Sequence, residues 1–407
     1  MRHTLPDIAR MLSVSVLFLS ALAVVAGADS PTAGVEEAVL SIEAALSMDD
    51  LSRELWPHWK ISETPFALLG TDGTCYLVNH PDPPRTFERV RDTAARVSVH
   101  IAPSAPKSDR RVCRVEDVPT AIMRQAELLE DPLPAIVAAA FAAYEEKICA
   151  GRTDPVVLVS GYPAEAEDTV LADIECELLR RAVSASEDSI QYWAESFAGL
   201  RRHRRMRMGR RHEEYERGIE FTKGVPAYLA DRCREEATAD LGGEVEDSPG
   251  TSLLEGHEPE MPPADSLDLD WYRHDRFRWT GEMTCLLLDR LHPAWREEAW
   301  EDCTDPYEVL WRRVEGRTPM ARVILAGFDY ENMVERRASE SVGIKSEAER
   351  HFEDIARNDN GVLSISTDLL AAGEVTFESA GIERIDAHRL IHRRLLKIQY
   401  SWGTRFE

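Results

Sequence analysis

The sequence predicts an α+β fold that is predominantly helical, with a small mixed N-terminal part and a short C-terminal β unit. Apolar residues recur at helical spacing in the segment 168–183, and related patterns fill most of the chain between Pro134 and Arg234. Short apolar runs on both sides of Gly70–Gly73 indicate a β-hairpin. Two further apolar runs, at 362–366 and 375–377, predict strands near the C terminus.

The remaining elements follow from the same periodicities, taken in chain order. An acidic amphipathic pattern predicts a helix from Val35 to Trp56, and the alternating run from Arg96 to Ala102 predicts a strand. After residue 134, helical patterns continue to the acidic loop and resume beyond it. The predicted helices are 134–149, 168–183, one through Trp193 and Leu200, 210–235, 279–291, 294–301, 306–314 and a polar stretch at 329–357.

Four segments describe the organisation of the 407-residue chain. They are a signal peptide at 1–28, a mixed part at 29–130, a helical core at 131–358 with an acidic loop at 242–270, and a C-terminal β unit at 359–407. The loop is rich in glycine and proline and has no period, which is typical of a surface loop. An apolar fraction of 43% is sufficient for a sizeable core.

The N-terminal segment has the three parts of a secretory signal. Arg2 and Arg10 supply a basic start, residues 11–25 form an apolar run, and small residues at 26–28 predict cleavage after Ala28. The mature protein is therefore expected to be secreted or periplasmic. An uncleaved membrane anchor is the alternative, although the run is short for a span. No later apolar stretch predicts a transmembrane segment after signal cleavage.

The net charge of −25 becomes −26 once residues 1–28 are removed, because they carry two arginines and one aspartate. So acidic a body repels nucleic acid phosphates, which excludes nucleic acid as a partner. The basic run 201–211 is the local exception. It can bind a phosphate or an acidic partner, or pair with acidic helices of the same chain, and we expect internal pairing.

Seven cysteines are scattered along the chain without a CxxC pair, which gives no support to a zinc ribbon. Several lie beside apolar residues in helical patterns, so we expect most of them to be buried. One or two disulfides are compatible with an exported protein, and their pairing stays open.

A series of short motifs follows one another between residues 56 and 295. They are Trp56-Pro57, Asn79-His80-Pro81, Val137–Tyr144, Tyr162-Pro163, the helix around Glu175–Leu179, Lys223–Tyr228, Gly281 with Leu287–Leu291, and Pro293-Ala294-Trp295. In order and spacing, these motifs resemble a group of secreted bacterial zinc-metallopeptidase-like proteins of the gluzincin kind. That group joins an HExxH helix to a later EGxAxY motif, and the resemblance implies a peptidase-like helical core.

The chemistry of that group requires residues that this chain lacks. Two histidines four apart on a helix bind zinc, the glutamate between them takes a proton from the metal-bound water, and a distant glutamate is the third ligand. The resemblance places Ala138 and Ala142 at the two histidines, Ala139 at the general base and Lys223 at the third ligand. Alanine binds no metal, and the lysine ammonium reverses the local charge.

The resemblance therefore implies a pseudo-metallopeptidase with no catalytic residue, metal or cofactor. Its expected role is binding of a peptide, a wall component or a partner protein in the remnant cleft. The cleft candidates are Phe141, Glu145, Glu220, Gly224 and Tyr228. Two alternatives stay open: an active hydrolase or peptidase with displaced ligands, and a plain structural secreted protein. The second predicts that helix 134–149 and helix 211–234 do not face each other.

Two further patterns carry less weight. His388 and His392 are four residues apart, which on a helix suits a metal, but the intervening glutamate is absent and the neighbours are basic. Asp265, Asp268 and Asp270 cluster at the end of the acidic loop without the glycine and glutamate of a calcium loop. We expect both groups to be structural or solvated.

Overall fold

The computed structural model describes residues 31–90, 97–102, 111–128, 132–149, 162, 165–239 and 271–340, together with five short strands between residues 375 and 406. The predicted signal peptide at 1–28 and the acidic loop at 242–270 lie outside the described residues, as does the predicted strand at 362–366.

The described part of the chain is mainly helical and contains a small mixed sheet, which confirms the predicted α+β class. The helices are α1 (Pro31–Leu46), α2 (Asp49–Leu55), α3 (Pro132–Ile148), α4 (Ala166–Ser184), α5 (Glu187–Met208), α6 (Arg210–Ile219), α7 (Val225–Ala239), α8 (Arg276–Leu291), α9 (Trp295–Glu301), α10 (Pro306–Val314) and α11 (Ala321–Leu325). Residues 330–340 are also helical. Two π-helical turns, Glu220–Gly224 and Trp271–Asp275, precede α7 and α8.

Six strands form the N-terminal sheet in the order β3-β4-β2-β1-β6-β5. The strands are β1 (Phe66–Leu69), β2 (Cys75–Val78), β3 (Glu88–Arg89), β4 (Val99–Ala102), β5 (Val112–Val115) and β6 (Val118–Arg124). The predicted hairpin is present: β1 runs antiparallel to β2 with Phe66 opposite Val78, and parallel to β6 with Phe66 opposite Ala121. The predicted strand at 96–102 corresponds to β4.

The buried apolar side chains of the sheet and of the helices form one continuous cluster. It includes Phe66 and Leu68 from β1, Ile136 from α3 and Leu178 from α4. Helix α3 lies between the two parts, since it packs against both β6 and α7. The sheet therefore supports one side of α3, and the later helices support the other.

The predicted helix from Val35 to Trp56 is divided into α1 and α2, which corrects the sequence interpretation. The hydroxyl of Ser47 donates a hydrogen bond to the carbonyl of Ala44 at 2.6 Å, at the end of α1. Asp49, the first residue of α2, accepts bonds from the backbone N–H of Ser62 at 2.9 Å and from its hydroxyl at 2.5 Å. This contact with a distant segment fixes the start of a second helix.

The C-terminal strands are β7 (Val375–Phe377), β8 (Ile382–Arg384), β9 (Leu390–His392), β10 (Ile398–Tyr400) and β11 (Arg405–Phe406). Strand β7 confirms the predicted strand at 375–377, and it pairs with β10 in the order β11-β10-β7. Because residues 390–392 form a strand, the helical spacing considered for His388 and His392 does not apply there. None of the described helices combines the length and the apolar composition needed to cross a lipid bilayer.

Candidate functional site

The alanine run of α3 has a core-facing side and a side that reaches the surface. Ala139 and Ala140 are buried, whereas Ala138 and Ala142 are half-buried. The two half-buried alanines are four residues apart and therefore lie one turn from each other on a single helix face. Larger side chains at these two positions have access to space outside α3, whereas a side chain at position 139 points into packed core.

Helix α3 faces the segment that contains Lys223. The ring of Phe141 lies 6.5 Å from the ring of Phe221, between centroids, and Trp56 lies edge-on to both at 5.0 and 6.4 Å. Lys223 follows Phe221 by two residues on the π-helical turn and is exposed. The plain structural alternative required these two helices not to face each other, and this requirement is not met.

Two glycines bring the π-helical turn into direct backbone contact with α8. A Cβ atom added to Gly224 would lie 2.6 Å from the Cα of Gly281, and one added to Gly281 would lie 2.5 Å from the carbonyl oxygen of Glu220. No other residue type tolerates such an approach without a backbone shift. The sequence assigned these glycines to separate motifs, and the structure brings them together.

Two motif residues bind the half-buried carboxylate of a third, Asp289. The hydroxyl of Tyr228 donates to Asp289 at 2.7 Å, and the indole N–H of Trp295 donates to the other carboxylate oxygen of Asp289 at 2.9 Å. The guanidinium of Arg296 contacts both Tyr228 and Asp289. Burial, reinforced by the neighbouring Asp289, raises the pKa of Tyr228, so this phenol stays protonated and serves as a donor.

All five cleft candidates from the sequence are buried in the structure. They are Phe141, Glu145, Glu220, Gly224 and Tyr228. The two aromatic residues belong to the packing around Trp56 and Trp295, and the glycine belongs to the helix crossing. Of the four positions that the resemblance assigns to metal chemistry, Ala138, Ala142 and Lys223 have access to solvent, and we call these three positions the remnant face.

A second constellation, which we call the arginine cluster, lies between α4, α5, α6 and α8. It consists of four arginines and three glutamates, all buried: Arg201, Arg204, Arg205, Arg276, Glu175, Glu216 and Glu220. Its centre is Arg204, which donates to Glu175 at 2.7 Å and to both carboxylate oxygens of Glu216 at 2.6 and 2.8 Å. The predicted internal pairing of the basic run is thereby confirmed, but its burial and the participation of Arg276 were not foreseen.

The ion pairs of the arginine cluster keep its carboxylates ionised. Burial alone would raise the pKa of Glu175, but Arg201 and Arg204 lower it to about 2. The pKa of Glu216 is held well below its ordinary value against the same effect of burial, by Arg204, Arg276 and Arg205. Each buried charge is thus stabilised by its partners, and removal of one partner would leave another buried charge without a counter-charge.

A carboxyl pair spans the crossing of α7 and α8. Glu282 directly follows Gly281, and Asp231 faces it from α7; both side chains are buried. Burial, together with a hydrogen bond to Asp231, raises the pKa of Glu282 well above its ordinary value. Arg234 binds Asp231 at 2.5 Å. The protonated form of Glu282 is therefore favoured over the ionised form, relative to a glutamate in water.

One disulfide is present among the described cysteines, and it joins the C-terminal end of α3 to the segment between α9 and α10. It links Cys149 to Cys303, whose Cα atoms are 6.3 Å apart, across 154 residues of sequence. The remaining cysteines are thiols, of which Cys113 is half-buried and four are buried: Cys75, Cys176, Cys233 and Cys285. The expectation of mostly buried cysteines with one or two disulfides is confirmed.

Within the ranges that the structure describes, no three histidine, cysteine or acidic side chains are grouped so that they could hold a metal ion. His388 and the aspartates at 265, 268 and 270 lie outside those ranges. Comparison with family models, with curated proteins and with solved structures finds no match to this chain.

Proposed function

We propose that this chain is an exported, non-catalytic protein on a zinc-peptidase-like scaffold, and that the remnant face binds a peptide, a wall component or a partner protein. The observation that carries the proposal is the convergence of motif residues from distant parts of the sequence. Gly224 contacts Gly281, and Asp289 joins Tyr228 to Trp295. Residues that match a family pattern only by chance are not expected to pack against one another.

The location of the substituted positions supports the same interpretation. Ala138 and Ala142 are partly accessible on one face of α3, and α3 packs against α7, which begins two residues after Lys223. A metal-binding ancestor would need two ligands on the first helix and one on the second, both reachable by water and substrate. With alanine and lysine at these places, the face has no group that activates water.

Export is supported by the disulfide. Disulfides persist in oxidising compartments and are rare in the cytosol, so the link between Cys149 and Cys303 suits a secreted or periplasmic protein. It also agrees with the signal-like segment at 1–28.

Restoration of the metal ligands tests the proposal. The triple variant Ala138→His, Ala142→His, Lys223→Glu supplies two imidazoles and a carboxylate, and Ala139 stays unchanged because a carboxylate there would be buried. We expect the variant to bind one equivalent of zinc, measured by calorimetry and by metal analysis after dialysis. The parent protein is expected to hold no stoichiometric zinc.

A matched control moves the same histidine pair one turn along α3. The variant Ala142→His, Glu146→His, Lys223→Glu has the same three ligands, but its pair is displaced from position 138. Equal zinc affinity in the two folded variants, or no binding by the first, would contradict the assigned geometry. Chelator-sensitive cleavage of a peptide library by the parent protein would favour the displaced-ligand hydrolase instead.

A further inference from the structure

A strip of four planar side chains joins α4, α5 and the turn after α11. The Tyr192 ring lies edge-on to Trp193, with 5.0 Å between the ring centroids. The guanidinium of Arg181 contacts two rings, since its Cζ atom lies 5.1 Å from the centroid of Trp193 and 5.3 Å from that of Phe328. We call these four side chains the aromatic strip. Because each planar group contacts the next, the strip is a preformed surface.

One end of the aromatic strip is open to solvent. Trp193 and Phe328 are half-buried and pack against the main core cluster, which fixes their positions. Tyr192 is 57% exposed. Among the side chains that the structure describes, no other phenylalanine, tyrosine or tryptophan is exposed. A ligand that covers the Tyr192 ring therefore gains the free energy of removing an apolar surface from water.

Charged groups of both signs flank the aromatic strip. Six lie in it or next to it on the same segments, four acidic and two basic: Glu177, Asp188, Glu195, Asp329, Arg180 and Arg181. The carboxylate of Glu177 accepts hydrogen bonds from Arg180 at 2.8 Å and from Arg181 at 2.6 Å. A polyanion would be repelled by the carboxylates, and a polycation would be repelled by the arginines. The flanking charges therefore favour an uncharged ligand.

The charges next to Tyr192 also disfavour two other classes of partner. Asp188 and Glu195 lie four residues before and three residues after Tyr192 on α5, and so on the same helix face. The centre of a protein–protein interface is depleted of charged residues, which disfavours a protein partner at this ring. A lipid surface is disfavoured as well, because insertion of the ring would bring both carboxylates out of water.

We propose that the aromatic strip binds a neutral polysaccharide, with one sugar ring stacked on Tyr192. A pyranose ring has an apolar face made of C–H bonds and an edge made of hydroxyl groups, and its apolar face matches a phenol ring in size. Hydroxyl groups both donate and accept hydrogen bonds, so they suit the carboxylates of Asp188 and Glu195 as well as the guanidinium of Arg181. This site shares no residue with the remnant face.

Binding to insoluble polysaccharides tests the site. The purified full-length chain is mixed with amorphous cellulose, chitin or linear mannan, and the unbound fraction is measured at low and at high sodium chloride. We expect retention on at least one of the three, equal at both salt concentrations, because an uncharged ligand offers no ion pair for salt to screen. Retention on none of them would overturn the proposal. Binding only to polygalacturonate or polylysine, lost at high salt, would also overturn it and would indicate a charged partner.

Substitutions of Tyr192 locate the effect. Tyr192→Ala removes the stacked ring, and we expect the association constant for the polysaccharide to fall about tenfold. Tyr192→Phe keeps the ring and is expected to bind like the parent. Unchanged binding by Tyr192→Ala would overturn the proposal. An equal loss in both variants would overturn it too, since the hydroxyl rather than the ring would then be responsible.

Met206→Ala is the matched control on the same helix. Met206 is 66% exposed and lies about 21 Å from Tyr192 along α5. Its truncation is expected to leave polysaccharide binding unchanged. Because both side chains are exposed, we expect all three variants to keep the fold, which circular dichroism and the Tm verify. A loss in Met206→Ala as large as that in Tyr192→Ala would contradict the placement of the site at the aromatic strip.

Discussion

The crossing of α3 and α7 and the arginine cluster are both buried, but different interactions hold them together. At the crossing, the ring of Trp56 packs edge-on against Phe141 of α3 and against Phe221, which lies just before α7. In the cluster, Arg204 forms ion pairs with Glu175 and Glu216 at full burial. Apolar packing tolerates gradual change, whereas a buried ion network needs every partner. The two regions should therefore respond differently to mutation.

The largest expected effect is in the arginine cluster. Glu216→Gln removes the carboxylate that contacts Arg204, Arg205 and Arg276, and so leaves buried positive charge without compensation. We expect a loss of about 3–5 kcal/mol in the free energy of unfolding. Urea denaturation measures it. Glu177→Gln is the control, since Glu177 pairs with Arg180 and Arg181 near the surface and should cost at most about 1 kcal/mol. Equal effects of the two substitutions would mean that the cluster is not a cooperative network.

An intermediate effect is expected at the glycine contact beside the α3–α7 crossing. In Gly224→Ala the new methyl group would lie 2.6 Å from the Cα of Gly281, so that the backbone of α7 or α8 must shift. Overpacking of this kind costs about 1–3 kcal/mol. Gly199→Ala is a milder comparison, because the closest atom that its methyl group would meet is the Cβ of Thr318, at 3.1 Å. Urea denaturation measures both losses in the free energy of unfolding. A Gly224→Ala variant as stable as the parent would rule out the tight contact between Gly224 and Gly281.

The smallest effect concerns pH and the carboxyl pair at the crossing of α7 and α8. The pKa of Glu282 is raised in the folded state, so Glu282 stabilises the fold fully below its unfolded pKa of 4.5 and loses this contribution as pH rises through the folded value. We expect the free energy of unfolding to fall with pH across that window by at most about 1.4 kcal/mol per pH unit. Glu282→Gln should flatten this dependence, and a slope identical to that of the parent would show that another group titrates.

Local patterns allowed much of the fold to be predicted. The hairpin, α4, α10 and the strand at 375–377 were anticipated because alternating or helical spacing of apolar residues reports which face is buried. The break between α1 and α2 was missed, since it depends on Asp49 meeting Ser62. Spacing cannot show a contact between segments that come together only in the folded chain.

The site was predicted less completely. The facing of the two predicted helices agrees with the motif order, but the five cleft candidates proved to be buried. The carboxyl pair of Glu282 and Asp231 gave no signal in the sequence, because the two residues are neither neighbours nor part of a motif. Their proximity results from the approach of Gly224 to Gly281, which brings α7 against α8.

The sequence by itself determined the helical and strand periods and the burial of most cysteines. Tertiary structure alone decided that Cys149 pairs with Cys303, that Arg276 joins the basic run of α5, and that Glu282 forms a hydrogen bond with Asp231. The physical reason is the distance along the chain over which each kind of interaction acts. Side-chain periodicity acts over a few residues, whereas charge pairing and pKa depend on neighbours that only the packed chain supplies.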